Sequence, residues 1–247
     1  MLYKTEGIIL KSYEYQDADK IVSIYSEKQG KIKAIAKGVR KTKSKFGSSM
    51  EVLTCAEFLF YRGRNLDIVS QSKIIDSFFG TCADLKKYAL AINCAEVINK
   101  LIEDKEINLN LYTLFKEFLR YIKEAKDPVL LALSFKWKVL GIIGYKPALY
   151  RCYKCQKKTE NEQYMFFKIP DGGITCDECA RLYSGDYIKI TRYFVKLLKK
   201  IFIASLLSIS KATIPEIRRQ ELERLTNIYL TYYSDSIFKT ERFLREI

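Results

Sequence analysis

The chain has 247 residues, 48% of them apolar, enough to bury one large core or two smaller ones. A formal net charge of +14 points to a polyanionic partner, and the complete lack of histidine excludes Ser–His and Cys–His nucleophile pairs and histidine-bound metals. No run of about 18 uncharged apolar residues exists to span a membrane, and MLYKTEGIILK lacks the basic start and apolar stretch of a signal peptide, so a soluble, cytoplasmic protein is expected.

Up to about residue 80 the pattern is strand-like. The runs 5–13, 20–26, 31–37, 54–61 and 67–74 mix β-branched and aromatic residues with polar ones, and turn-forming stretches such as EYQDAD, EKQG and YRGRN lie between them. In KIKAIAK the period is two: Ile32, Ala34 and Ala36 share one face, and Lys31, Lys33, Ile35 and Lys37 the other. Five short strands with a longer connection after the third predict a small closed barrel of the OB type, an SH3-like barrel being the near competitor.

Residues 28–46, KQGKIKAIAKGVRKTKSKF, hold eight Lys or Arg and no acid. Phosphate contacts need cations free to follow a backbone, and a loop beside a barrel face offers them. Lys31, Lys33, Lys37, Arg40, Lys41, Lys43 and Lys45 are therefore the candidate nucleic-acid-binding residues, with Phe46, Tyr25, Tyr13 and Tyr15 as candidate base-stacking rings. The plainer alternative is a solvated edge whose lysines block sheet-to-sheet aggregation.

Beyond residue 80 the period becomes helical. Leu85, Tyr88, Ala89, Ile92, Ala95, Ile98, Leu101 and Ile102 recur at three- and four-residue steps, and Leu111, Leu114, Phe115, Phe118 and Ile122 repeat the pattern. Pro128 opens an apolar stretch that reads as a central helix ending at Gly144. Thr191 is a candidate N-cap for a helix with Phe194, Leu197, Leu198 and Ile201 inside, and a last helix starts at Pro215. The expected division is a barrel over 1–80, a helical domain over 81–149 and 182–247, and a small module over 150–181.

That module carries Cys152, Cys155, Cys176 and Cys179 as C-x2-C-x20-C-x2-C. Each x2 spacing lets a tight turn aim two thiolates at one ion, and QYMFFKI followed by PDGG supplies a strand and a turn between the pairs. The pattern predicts one structural Zn2+; four thiolates leave no position open for a catalytic water. A thioredoxin-like redox pair, the rival, would need a single C-x-x-C opening a helix after a strand. Arg151, Lys154, Lys157 and Lys158 near the first pair are offset by Glu160, Glu162, Asp177 and Glu178, a weak charge for a dedicated DNA reader. Cys55, Cys82 and Cys94 sit singly among apolar neighbours, as buried free cysteines do.

Catalytic apparatus is hard to assemble. There is no G-x-G-x-x-G, and before Gly30-Lys31 the glycine a phosphate loop requires is Tyr25. Asp17 with Asp19 could hold magnesium, as in a nuclease, but they occupy a surface turn before a strand. A non-enzymatic protein is expected.

Two stretches carry a family resemblance. TEGIILKSYEYQDADKIVSIYSEKQGKIKAIAKGVRKTKSKFGS, with Thr5, Gly7, Ile8, Asp19-Lys20, Gly30, Ala36-Lys37-Gly38 and Arg40, and LGIIGYKPALYRCYKC with the later GGITCDEC, resemble the RecO family of bacterial recombination mediators in order and spacing. Some members have Arg where this chain has Lys20, and some lack the four cysteines. The resemblance implies an α+β multidomain protein: an N-terminal OB-fold β-barrel, then a helical bundle carrying a four-cysteine zinc finger. It also implies binding to single- and double-stranded DNA, annealing of complementary strands, and contact with RecR and with the acidic C-terminal tail of single-stranded DNA-binding protein (SSB). Through these the family helps load RecA onto SSB-coated strands in DNA repair, in the cytoplasm and with the nucleoid, using neither a membrane nor a small-molecule substrate. The basic helical region from 191 onward is a candidate for the tail pocket. An alternative is an adaptor whose main partner is an acidic protein tail, with DNA contact secondary.

Overall fold

The computed structural model describes residues 1–78, 84–159, 162–183, 185–234, 238 and 240, which form two compact units. The first comprises Met1–Glu124 with Ile237–Ile247, the second Ala125–Ser236. Among the described residues no helix is long and apolar enough to cross a membrane.

In the first unit, β1 (Leu2–Tyr15), β2 (Asp19–Ser26), β3 (Gly30–Ala36), β4 (Thr54–Tyr61) and β5 (Asp67–Ser77) close into a barrel in the order β1-β2-β3-β5-β4, the OB arrangement. Closure depends on the length of β1. Its first half pairs with β4, its second half with β2, and an irregularity between Ile9 and Lys11 bends it from one partner to the other. β3 and β5 join in parallel through Ala34 with Asp67 and Ile35 with Ile68. The inward face predicted for β3 holds: Ile32, Ala34 and Ala36 are buried with Val22, Ile24, Phe58 and Phe60, and Phe46 and Met50 plug one end.

Helices α1 (Leu85–Leu101) and α2 (Leu109–Tyr121) follow, N-capped by Asp84, which accepts from the Lys87 amide, and Asn108, which accepts from the Leu111 amide. They cover the outer face of β2: the Ser23 hydroxyl donates to Asn99 Oδ1 at 2.7 Å and the Tyr25 hydroxyl to the Asn108 carbonyl at 3.3 Å. Gly30, at φ 66°, lies where a Cβ would come within 2.3 Å of the Glu106 carbonyl oxygen, so only glycine admits the α1–α2 connection there. Leu85, expected inside, is exposed on the first turn of its helix.

The second unit is built around α3 (Pro128–Ile142), N-capped by Asp127, which accepts from the Leu130 amide and pairs with Arg219 at 3.1 Å. The Trp137 indole donates to Thr226 Oγ1 at 2.8 Å, fixing α3 against α7 (Glu216–Ser234). α4 (Asp177–Leu182), α5 (Arg192–Ile203) and α6 (Leu206–Ser210) complete the helices, and α5 begins at Thr191, whose hydroxyl accepts from the Phe194 amide as the sequence predicts. β6 (Tyr164–Lys168), β7 (Gly173–Thr175) and β8 (Ile188–Thr191) form a small sheet in the order β7-β6-β8.

Candidate nucleic-acid interface and metal centre

Residues 37–46 leave the end of β3 as an irregular loop stitched to the tip of the β1–β2 hairpin. The Gly38 amide donates to Asp19 Oδ1 at 2.8 Å and the Arg40 amide to the Ala18 carbonyl at 3.0 Å. The Arg40 guanidinium lies 3.2 Å from Glu14. Gly38 sits at φ 72°, which suits glycine, and the Lys41 amide closes a turn onto its carbonyl. Asp19 thus serves as a loop anchor. The carbonyl of Asp17, the other acid of this turn, accepts from the Arg40 guanidinium at 3.4 Å.

Lys37, Lys41, Lys43 and Lys45 are exposed and, among the described residues, have no carboxylate partner; Lys45 lies over the Phe46 ring at 5.1 Å. Lys33 is exposed but holds Asp104 at 2.7 Å. Lys31 departs from the expectation. It is 7% exposed, donates to the Asn99 carbonyl at 3.0 Å and to the Ile102 carbonyl, and sits 3.2 Å from Asp104. It lies on the outward face of β3, but α1 covers that face there, so its charge satisfies the helix C-terminus and is withdrawn from any phosphate backbone. Burial pushes the Asp104 carboxyl up, but hydrogen bonds and charge from Lys33 and Lys31 outweigh it and hold the carboxyl below its ordinary range. Of the four rings, Phe46 and Tyr25 are buried in packing, while Tyr13 and Tyr15 are exposed along the hairpin.

The structure adds two cations that sequence reasoning passed over. Arg62 and Arg64, in the YRGRN turn between β4 and β5, line a cleft of about 250 Å³ with Lys33, Lys105 and Tyr3. Arg62 stacks on Tyr3 at 5.1 Å and donates to Gln29 at 3.1 Å. The β4–β5 loop of an OB barrel borders its usual ligand face, and this is the signal that could have found them.

In the second unit the four cysteines converge, their sulfurs all within 4.8 Å of one another. Cys155 and Cys176 Sγ are 3.8 Å apart, close to the tetrahedral edge of about 3.8 Å that Zn–S bonds of about 2.3 Å would give. Two local turns present them. The first folds Gln156 back so that its amide donates to the Cys152 carbonyl at 2.9 Å, and the second runs from β7 into α4. The Cys176 amide points at Cys152 Sγ at 3.4 Å. Burial raises the Cys152 thiol, but the amides of Cys155, Cys176 and Lys154 outweigh it and bring it down to about 7, whereas burial and the neighbouring sulfurs push Cys176 and Cys179 up. Cys176 and Cys179 do open a helix after a strand, the geometry of the redox rival, yet the other pair stands against them, so the four sulfurs lie as one cluster. Among the described residues this is the one group of three or more such side chains placed to hold a metal ion. Cys55 and Cys94 are buried, as expected; Cys82 and Glu160 lie outside the described residues.

A groove of about 400 Å³ also runs along α5 in this unit, walled by Leu130, Leu197, Ile201 and Ile209, with Lys196 and Lys200 exposed at its edge. The Ser134 hydroxyl is buried in its lining and has no hydrogen-bond partner among the described residues.

The comparisons with known proteins agree over both units. The family model described as "Recombination protein O N terminal" matches residues 1–78, and "Recombination protein O C terminal" matches residues 82–242. A DNA repair protein RecO of Desulforamulus reducens is 30% identical over 243 residues, covering 98% of this chain and 94% of its own length. That of Bacillus mycoides is 29% identical, covering 100% and 98%, and that of Caldanaerobacter subterraneus is 27% identical, covering 99% and 98%. With a closed five-stranded barrel under the first model and a four-cysteine cluster under the second, this chain belongs to the RecO family of DNA repair and recombination proteins.

Proposed function

We propose that the protein is a non-enzymatic recombination mediator that binds single- and double-stranded DNA and anneals complementary strands. With RecR it would help load RecA onto strands coated by SSB, at the nucleoid in the cytoplasm. The observation that carries the reading is the 37–46 loop: four lysines with no carboxylate partner among the described residues, on a backbone stitched to the barrel edge by Asp19 and Ala18. Such a surface brings two phosphate backbones together by neutralising them and consumes no nucleotide. Lys37, Arg40, Lys41, Lys43 and Lys45 make the contacts, with Lys33 beside them and Lys31 as their structural support. RecR, SSB and RecA enter through the family resemblance.

The four thiolates fit a structural Zn2+, which would clip the two turns into a ribbon too small to build its own core. The groove with Lys196 and Lys200 at its edge suits the acidic tail of SSB, and Ser134 offers it a buried hydroxyl. That groove also supports the second reading, an adaptor whose main partner is the tail. Binding to naked oligonucleotide at low salt with no partner protein separates the two.

The test is the Arg40→Ala/Lys41→Ala/Lys43→Ala variant. For single strands log K falls with log salt by about 0.7 per phosphate neutralised, so the slope should shrink by about 2 and annealing should slow regardless of sequence. An unchanged slope and affinity rejects the placement.

A further inference from the structure

Helix α5 carries a second row of cations, apart from the barrel loop, that shares only Lys196 with the edge of the apolar groove. Arg192, Lys196 and Lys199 stand at i, i+4 and i+7, and so on one side of the helix. They line a cleft of about 270 Å³ whose remaining walls are Thr159, Met165 and Val195. Arg192 and Lys196 are exposed and Lys199 is half-buried; among the described residues none of the three has an ion-pair partner. Glu221, at the same end of the helix, is taken up by Thr191 and Arg218.

A merely solvated helix face mixes its signs, as α7 does with Glu216–Arg219 and Arg218–Glu221. Three like charges over two turns repel one another and disfavour the helix until an anion joins them. The row also begins at the positive end of the helix dipole. A ring accompanies the charges. Tyr150 is 56% exposed, its face lies 4.1 Å from Lys199 Nζ, and its place two residues before Cys152 ties it to the cysteine module. An acidic protein surface needs only the cations. Cations in a row beside an exposed aromatic face match a single strand, which offers phosphates and unstacked bases together.

We propose that the Arg192–Lys196–Lys199 face of α5, with Tyr150 beside it, is a second contact for single-stranded nucleic acid, separate from the barrel loop. The three cations take successive phosphates and Tyr150 stacks on a base. The second unit then holds DNA in its own right, so a mediator of this build has two places to grip a strand.

The experiment titrates a fluorescent oligothymidine with the metal-loaded full chain across a range of salt. In the Arg192→Gln/Lys196→Gln/Lys199→Gln variant the slope of log K against log salt should shrink by about 2. Tyr150→Ala should weaken binding at fixed salt by about fivefold or more and leave the slope alone. Metal content and Trp137 fluorescence check that the variants fold, and photocrosslinking of wild-type protein to a 5-iodouracil strand gives a readout that needs no variant. An adduct on Tyr150 supports the site; adducts confined to residues 1–78 overturn it. So does a glutamine variant that binds the strand as the wild type does, including one that loses affinity only for polyglutamate, which would make this an acidic-protein surface. If the Arg40/Lys41/Lys43 variant keeps its slope while the α5 variant loses it, the barrel reading falls and this one stands; the reverse result rejects this one alone.

Discussion

Replacing Lys31 with Met tests whether a lysine in the basic run serves the fold in place of DNA. The ammonium group donates to the Asn99 and Ile102 carbonyls at the C-terminus of α1, and its side chain is 8% exposed. Its removal leaves buried acceptors without a donor, at about 1–3 kcal/mol, and forfeits a favourable helix-dipole contact of about 0.3–1 kcal/mol. The ion pair adds little, because Asp104 is 45% exposed and simply returns to water, at about 0–1 kcal/mol. A destabilisation of about 1–5 kcal/mol follows from these terms. Lys33→Met, whose pair with Asp104 is half-exposed on both sides, should cost less than about 1 kcal/mol. Urea unfolding followed by far-UV circular dichroism measures both, and hydrogen exchange at residues 98–106 should accelerate in Lys31→Met alone. The salt slope of DNA binding should stay unchanged in Lys31→Met. A loss below about 1 kcal/mol, or a slope reduced by about 0.7 as for a phosphate contact, would refute the reasoning.

Cys155→Ser removes the exposed member of the cysteine cluster; bound metal should fall below one equivalent and proteolysis should open the 150–181 segment, while cleavage within the barrel stays at the wild-type rate. Glu6 is pushed up by burial, but hydrogen bonds from Lys116 and Tyr112 and the lysine charge prevail and hold its carboxyl below the ordinary range. Its contribution to stability is therefore present above about pH 4.3 and is lost as pH falls through its lowered value, so Glu6→Gln should flatten the acid limb of the stability profile. Thr226→Val leaves the buried Trp137 indole without its 2.8 Å acceptor and should cost about 1–3 kcal/mol, read from the fluorescence of the chain's single tryptophan.

Where the signal is local, the sequence was legible. β4 occupies 54–61 as read, because β-branched and aromatic residues are bounded by turns, and Pro128 and Thr191 mark helix starts by chemistry that acts within four residues. The cysteines were legible for the same reason: a turn of two intervening residues sets each pair. α6 and β8, with five and four residues, are too short to show a period. Alternation along β3 put Lys31 outside the barrel correctly, yet outside at that point means under the end of α1, some seventy residues further along the chain. Tyr25 misled in the same way, since its hydroxyl reaches Asn108. Arg62 and Arg64 were hidden because a turn reads as punctuation until the barrel shows which face it borders.

The first unit is discontinuous in the chain. Phe238 and Thr240 come back to α1: Thr240 bonds Glu96 at 2.5 Å and Asn93 at 2.7 Å, and Lys100 lies over the Phe238 ring at 4.5 Å. During synthesis the barrel and its two helices emerge first, but the residues that finish their packing follow only after the whole of 125–236. At about 5–20 residues per second that interval lasts on the order of 10 seconds, during which part of α1 stands uncovered. A nascent chain would therefore expose an incompletely packed helix to chaperones, and a stop codon before Phe238 would weaken the barrel and its helices while leaving residues 1–124 unchanged.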